Sequence, residues 1–329
     1  MRRDCKVLRH WASRTASLTL KPDCNTVRRM KNLRLLSIAL LLGIPPASFA
    51  KDVVPDPPLD CEPCAEWNKP LEPFQIFGNT WYVGTGGLSS ILITSKAGHI
   101  LIDGGLPQSA VLIAANIRKA GFKLEDVKLI LNSHTHYDHA GGIAALQRAS
   151  GAKVAASPAA AAALEQGGPT EEDPQFAFGH AHNDYAPVHG VQVIQDGETV
   201  RVGKLAVTAH FTPGHTPGGT SWTWKSCVKD HCEDVAYADS LNSVSAPQFR
   251  FSDDPRHVAA FEKSIATVAG LACGIPLAPH AELFDRDAKL ARRGTASSNP
   301  FIEPNGCRTY AEAARQRLEK RLAEERAQK

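Results

Sequence analysis

Aromatic residues make up only 7% of the 329, and nowhere do they interleave with a basic patch. That excludes a nucleic-acid surface, which needs cations for phosphates and rings for bases. Cys61-x-x-Cys64 has no second Cys-x-x-Cys and no βαβ context, so it does not read as a redox or zinc motif. No heptad seam lies outside the last helix, so a monomer is expected. The apolar run Leu35–Ile44 is too short for a permanent membrane anchor. What is present is globular: 43% hydrophobic and 22% charged residues, enough for one large domain or two. The net charge of +3 is uneven. Residues 1–50 carry ten Lys and Arg against two Asp and Glu, leaving 27 basic and 32 acidic residues in the rest, a balance of −5.

The basic segment explains itself. Lys31 and Arg34 precede the run Leu35–Ile44, Pro45-Pro46 breaks it, and Ser48-Phe49-Ala50 offers small residues for cleavage. Residues 30–50 therefore read as a secretory signal peptide cleaved after Ala50, and residues 1–29 as an upstream extension without a fold. Export to the periplasm is expected, with no membrane anchor in the mature form. Cys5 and Cys24 fall in the discarded part. Six cysteines remain, an even number in an exported chain, which predicts disulfides. Six permit 15 pairings. Proximity favours Cys227–Cys232, Cys273–Cys307 would tie the last strand to the final helix, and Cys61–Cys64 is left over.

Residues 51–73, with six prolines, read as an extended arm. Short strands begin at Phe74: 79–84, 90–94 and 99–103, separated by glycine turns. Pro107 opens a helix over 108–120, and Val127–Leu131 is an apolar strand. A helix 143–149, a strand 153–156 and a helix 158–165 follow. Residues 167–190 are irregular, a length typical of functional loops. Their His180, His182 and His189 read as surface residues. A second series comprises strands 191–194, 199–202, 205–210, 220–224 and 234–237, a helix 256–269, a strand 274–277 and an amphipathic helix 310–327. Strands followed by a helix, twice, predict one α/β domain over 74–329 whose two layers meet face to face.

Chemistry concentrates in Ser133-His134-Thr135-His136-Tyr137-Asp138-His139. Three imidazoles and a carboxylate in six residues suit a borderline cation such as zinc. They lie between a strand and a helix, where α/β folds place ligand sites. His134 and His136 point one way from an extended segment, and Asp138 and His139 come after the turn, so two ions are expected. His215, in Thr212-Pro213-Gly214-His215-Thr216-Pro217-Gly218-Gly219, and His280, in Ala278-Pro279-His280, also follow strands. Asp239-Ser240 stands in the same way.

These motifs resemble the metallo-β-lactamase superfamily across residues 67–326, within it subclass B3, and there the AIM-type carbapenemases. Further matching pieces are Gly78–Gly84, Asp173-Pro174-Gln175-Phe176, Gly218–Trp224 and Arg315–Glu325. The resemblance implies an αββα sandwich. It implies a first zinc on His134, His136 and His215 and a second on Asp138, His139 and His280. It implies a metal-bound hydroxide, oriented by Asp138, that opens the β-lactam amide of penicillins, cephalosporins and carbapenems. Ser240, Asn242 and Gln175 would touch substrate. A glyoxalase II-like thioester hydrolase or a lactonase is the alternative on the same fold, with Asp239 as bridging ligand. Three departures stand out. AIM-like members pair an N-terminal cysteine with one after Trp81-Tyr82-Val83, but Gly84–Gly87 has none. Asn242 replaces a hydroxyl residue, and Ala281-Glu282 replaces a proline and a small residue, which adds negative charge at the mouth.

Overall fold

The computed structural model describes residues 52–328. The expected extension, the signal peptide, Cys5 and Cys24 lie outside the described residues.

Two mixed sheets face each other. The first runs β1 (Phe74–Phe77), β2 (Thr80–Tyr82), β3 (Ile91–Ile93), β4 (His99–Ile102), β5 (Val127–Leu131), β6 (Lys153–Ala156) and β7 (Val191–Val193), in sequence order. Its first four strands are antiparallel and the rest join in parallel. The second holds β8 (Thr199–Val202), β9 (Leu205–Phe211), β10 (Thr220–Val228), β11 (His231–Tyr237) and β12 (Ile275–Leu277), with only β11–β12 parallel.

Side-chain alternation builds the layers. In β3, Ile91 and Ile93 enter the core between the sheets while Leu92 faces the helices. Ile100, Ile102, Leu129 and Leu131 repeat this from β4 and β5, and meet Val207, Trp222, Val235, Tyr237 and Leu277 of the other sheet. Each such side chain contributes roughly 1.5–3 kcal/mol of burial. Behind the first sheet pack α2 (Ser109–Lys119), α4 (Ile143–Ser150) and α5 (Pro158–Gln166); behind the second pack α7 (Pro255–Ala269) and α9 (Gly306–Ala327). The expected four-layer αββα sandwich is the observed fold. The remaining helices are short: α1 (Cys64–Trp67), α3 (Tyr137–Ala140), α6 (His180–Asn183) and α8 (Arg286–Ala291). Among the described residues, no helix is long and apolar enough to cross a membrane.

Local chemistry sets the helix ends. Ser157 accepts the Ala160 N–H before Pro158, and Gly167, at φ 84°, ends α5. Asp254 accepts from the N–H groups of Arg256 and His257 ahead of Pro255, which starts α7.

The bonds Cys61–Cys64, Cys227–Cys232 and Cys273–Cys307 are all formed. Three elements differ from expectation. The strands expected at 220–224 and 234–237 run on toward each other as β10 and β11, with Cys227 opposite Cys232 and Lys229 turning at φ 53°. This ribbon is polar and largely exposed, as in the Lys225–Asp234 pair at 2.6 Å, so no apolar alternation reveals it. The last helix starts at Gly306 rather than 310. The arm is not wholly extended, because α1 closes a turn at Cys64–Trp67.

Candidate metal centre

The site forms where β5, β9, β11 and β12 end. After β5 the chain enters a buried loop whose every carbonyl is satisfied. Trp222 Nε1 donates to the Asn132 carbonyl at 3.1 Å, Thr220 N to Ser133 at 2.8 Å, Asn132 Nδ2 to His134 at 2.7 Å and Tyr185 OH to Thr135 at 2.9 Å. Asp103, at φ 63°, anchors the same loop: its carboxylate takes Ser133 N at 2.7 Å, Ser133 Oγ at 2.6 Å and Tyr237 OH at 2.7 Å. With these partners the loop has little freedom, so its histidines are preplaced.

His134, His136 and His215 converge, with ligand atoms within 4.8 Å of one another. His136 Nδ1 lies 3.2 Å from His215 Nε2. Each ring has its other nitrogen occupied. His134 Nδ1 contacts Asp239 Oδ1 at 2.8 Å, His136 Nε2 contacts Asp173 Oδ1 at 3.1 Å, and His215 Nδ1 donates to the Asn242 carbonyl at 2.8 Å. Such contacts fix ring orientation and tautomer and leave the inward nitrogen as a lone pair. Gly214 and Gly219 make the approach possible. A Cβ at Gly214, φ 148°, would sit 2.4 Å from the Phe261 ring, and one at Gly219 would sit 2.5 Å from Asp239 Oδ2.

A second group lies beside the first. Asp138 Oδ2 is 3.1 Å from His139 Nε2 and 3.3 Å from His280 Nε2, and the two nitrogens are 3.1 Å apart. Three donor atoms from two histidines and one carboxylate thus converge on one point. Separations near 3.3 Å are those of donors about 2.0–2.1 Å from a shared tetrahedral cation. Asp138 and His139 also lie within 4.8 Å of His134, and the His134 and His139 ring centroids are 4.3 Å apart, so the groups adjoin.

The electrostatics at His134, His215 and Asp138 agree with a cation site, whereas at His136 and His280 burial lowers the imidazole but Asp173 and Asp138, respectively, outweigh it and raise it. Burial, then the neighbouring His136, pushes His215 down to about 3, and burial with His139 pushes His134 well below its ordinary value. Both rings are neutral donors at pH 7. Burial raises Asp138, but His139 and His280 outweigh it and hold the carboxyl well below the usual range. Burial, with Asp103 nearby, pushes Asp239 well up. The donor set and its inward lone pairs fit zinc.

Asp239 Oδ1 is spent on the far nitrogen of His134, and its Oδ2 is buried without a hydrogen-bond partner. Ser240 is buried at the end of β11, and Asn242 and Gln175 are half-buried. Gln175 N donates to Asp173 Oδ1 at 2.8 Å, which places this loop against His136. His180, His182 and His189 are exposed, as expected. Sequence reasoning gave no role to Asp173 or Asp103. Asp173 sits in an irregular loop; Asp103 had one signal, an acidic residue ending an apolar strand before Gly104-Gly105.

An αββα sandwich with clustered imidazoles at its strand ends defines a metallohydrolase-type fold. The model of the metallo-β-lactamase superfamily matches residues 83–227. A solved structure of MEM-A1, a subclass B3 metallo-β-lactamase from a soil metagenome library, is 51% identical; 80% of this chain and 100% of that chain align, with a TM-score of 0.77. Curated relatives are more distant. An N-acyl homoserine lactonase of Bacillus cereus is 28% identical over 40% of this chain and 55% of its own length. A hydroxyacylglutathione hydrolase of Anaeromyxobacter dehalogenans is 28% identical over 57% and 58%. The chain thus spans little more than half the length of these curated relatives. It belongs to the metallo-β-lactamase superfamily, in subclass B3.

Proposed function

We propose that the protein hydrolyses the amide bond of β-lactams, carbapenems among them, with two zinc ions, and so confers antibiotic resistance. The observation that carries this reading is the pair of adjoining donor groups in a chain 51% identical to a subclass B3 enzyme along that enzyme's whole length. His134, His136 and His215 would hold one ion, and Asp138, His139 and His280 the other. Bound zinc supplies Lewis acidity and an acidified water. The chain does the rest. Asp239, Asp173 and the Asn242 carbonyl keep three imidazoles in register, and the Asp103-anchored loop keeps His134 and His136 from yielding. Ser240 and Asn242, beyond β11, would meet a substrate carboxylate. His215 engages the main-chain carbonyl of Asn242, which leaves the whole side-chain amide to face substrate.

A thioester or lactone hydrolase is the second reading, favoured by the curated relatives. Its bridging-aspartate form needs Asp239 between the ions, whereas Asp239 contacts His134 from behind. We further propose a periplasmic location. The six cysteines after residue 50 form three bonds, a pattern of oxidising compartments.

The test is imipenem absorbance followed with the zinc-loaded protein, with and without EDTA, beside a thioester and a homoserine lactone. Chelator-sensitive loss of the β-lactam signal is expected, and none with His134→Ala. Turnover of the thioester or lactone alone would replace this reading with the second.

A further inference from the structure

His280 is held differently from the histidines of the first group. Its outer nitrogen, Nδ1, is buried with no hydrogen-bond partner. On that side Glu282 Oε1 lies 3.9 Å from Nδ1, on a side chain 68% exposed. Two rings touch it: His139, with centroids 4.8 Å apart, and, from outside the donor group, the indole of Trp67, with centroids 5.2 Å apart and planes at 55°.

The surroundings seat that indole. Trp67 closes α1, the single helical turn that interrupts the proline-rich arm, and its N–H donates to the Pro63 carbonyl at 2.9 Å. The Cys61–Cys64 bond staples the start of this turn. The Trp67 carbonyl accepts Gly87 N at 3.0 Å and Thr85 Oγ1 at 2.6 Å. A Cβ at Gly87 would lie 2.5 Å from Trp67 Cδ1, so the absence of a side chain there makes the seat. The same segment grips His280 from the other side. Leu88 bridges to His280, Ala281 N donates to the Gly87 carbonyl at 3.1 Å and Ser89 N to the Pro279 carbonyl at 2.7 Å. Cys64 and Leu88 are buried in one apolar cluster, with Cys61, Trp67 and Tyr137 packed on it.

We infer that Trp67 is a positioning residue for His280: ring packing from the disulfide-stapled arm supplies the orientation that hydrogen bonds supply at His134, His136 and His215. It acts through His280 and keeps Nε2 beside Asp138 and His139. Affinity for the second ion is then set by a segment outside the sandwich, while the first ion is independent of it. This rests on His280 being a ligand, as proposed above.

The experiment titrates the metal-free full-length protein with zinc against a chromophoric chelator, and with cobalt(II) followed by its ligand-field spectrum. Trp67→Ala should weaken one of two equivalents about 10- to 100-fold, as for other groups that orient a ligand, and leave the other at wild-type affinity. Trp67→Phe should recover most of the loss, Gly87→Ala should reproduce part of it by displacing the indole, and Cys61→Ser/Cys64→Ser should do the same. Near-ultraviolet circular dichroism checks that each variant is folded. Two wild-type affinities in folded Trp67→Ala, or an equal fall in both, overturns the inference. Loss of one equivalent in a protein whose wild type hydrolyses no β-lactam would leave the inference standing and remove the functional reading. Fewer than two ions on the wild type would remove both.

Discussion

Asp173 shows how one residue governs a site it does not enter. Burial pushes its carboxyl up, but His136 and the Gln175 N–H outweigh this and hold it below the usual range. It therefore stands as a carboxylate at pH 7 with Oδ1 on His136 Nε2. Asp173→Ala should lower metal affinity and turnover about 10- to 100-fold, measured by chelator competition and initial rates. Unchanged affinity would mean that His136 is oriented by the loop alone. Glu282 acts by charge instead. Its exposed side chain near His280 would repel an anionic substrate, weakly because water screens it. Glu282→Gln should raise kcat/KM for anionic β-lactams by about 1.5- to 5-fold. The gain should shrink as ionic strength rises, since the interaction is screened. A gain that survives high salt would point to shape rather than charge.

At the scale of elements, α9 is fastened near its far end by Glu325. Arg321 Nε donates to Glu325 Oε1 at 2.6 Å, Ser252 N to Oε2 at 2.7 Å and Phe251 N to Oε1 at 3.2 Å. Burial raises this carboxyl, but Arg321 and the two backbone donors outweigh it and hold it below its ordinary value. A depressed carboxyl stabilises the fold above its unfolded value, near ~4.3, and that stability is lost as pH falls through the lower folded value. Glu325→Gln should cost about 1.5 kcal/mol at pH 7. The gap from wild type should close in acid below the folded value, read from urea midpoints across pH. A constant gap would place the effect in packing. Helix α9 itself was legible from Tyr310, Ala314, Leu318 and Leu322. Its first turn was not, because Gly306-Cys307-Arg308 carries no apolar period and is set by the Cys273–Cys307 bond and by Gly306 lying against Pro276.

At the scale of the molecule, the two sheets and the site share one support. Trp222 is fully buried between the sheets, and its Nε1 donates to Asn132 in the loop that carries His134. Trp222→Ala should destabilise by about 3–5 kcal/mol, measured by urea unfolding of the metal-free protein. It should also loosen metal binding, because the Asn132 carbonyl loses its donor. Stability lost with metal affinity intact would separate core from site. Zinc binding should in turn raise the unfolding temperature with concentration, since ions that bind only the native state stabilise it by mass action.

The sequence by itself determined the layers and the donor set. Short apolar strands and helices with proline starts depend on neighbours along the chain, and His134-x-His136-x-Asp138-His139 carries four donors in six residues. Proximity in sequence likewise reached the Cys227–Cys232 pair. Only the tertiary structure decided which carboxylates stand behind the histidines. Asp239 meets His134 across 105 residues, Asp173 meets His136 across 37, and the Trp67 indole reaches His280 from a stretch that reads as an extended arm. Such contacts leave no period or spacing in the chain, because they form only when separate strand ends are brought to one edge of a sandwich.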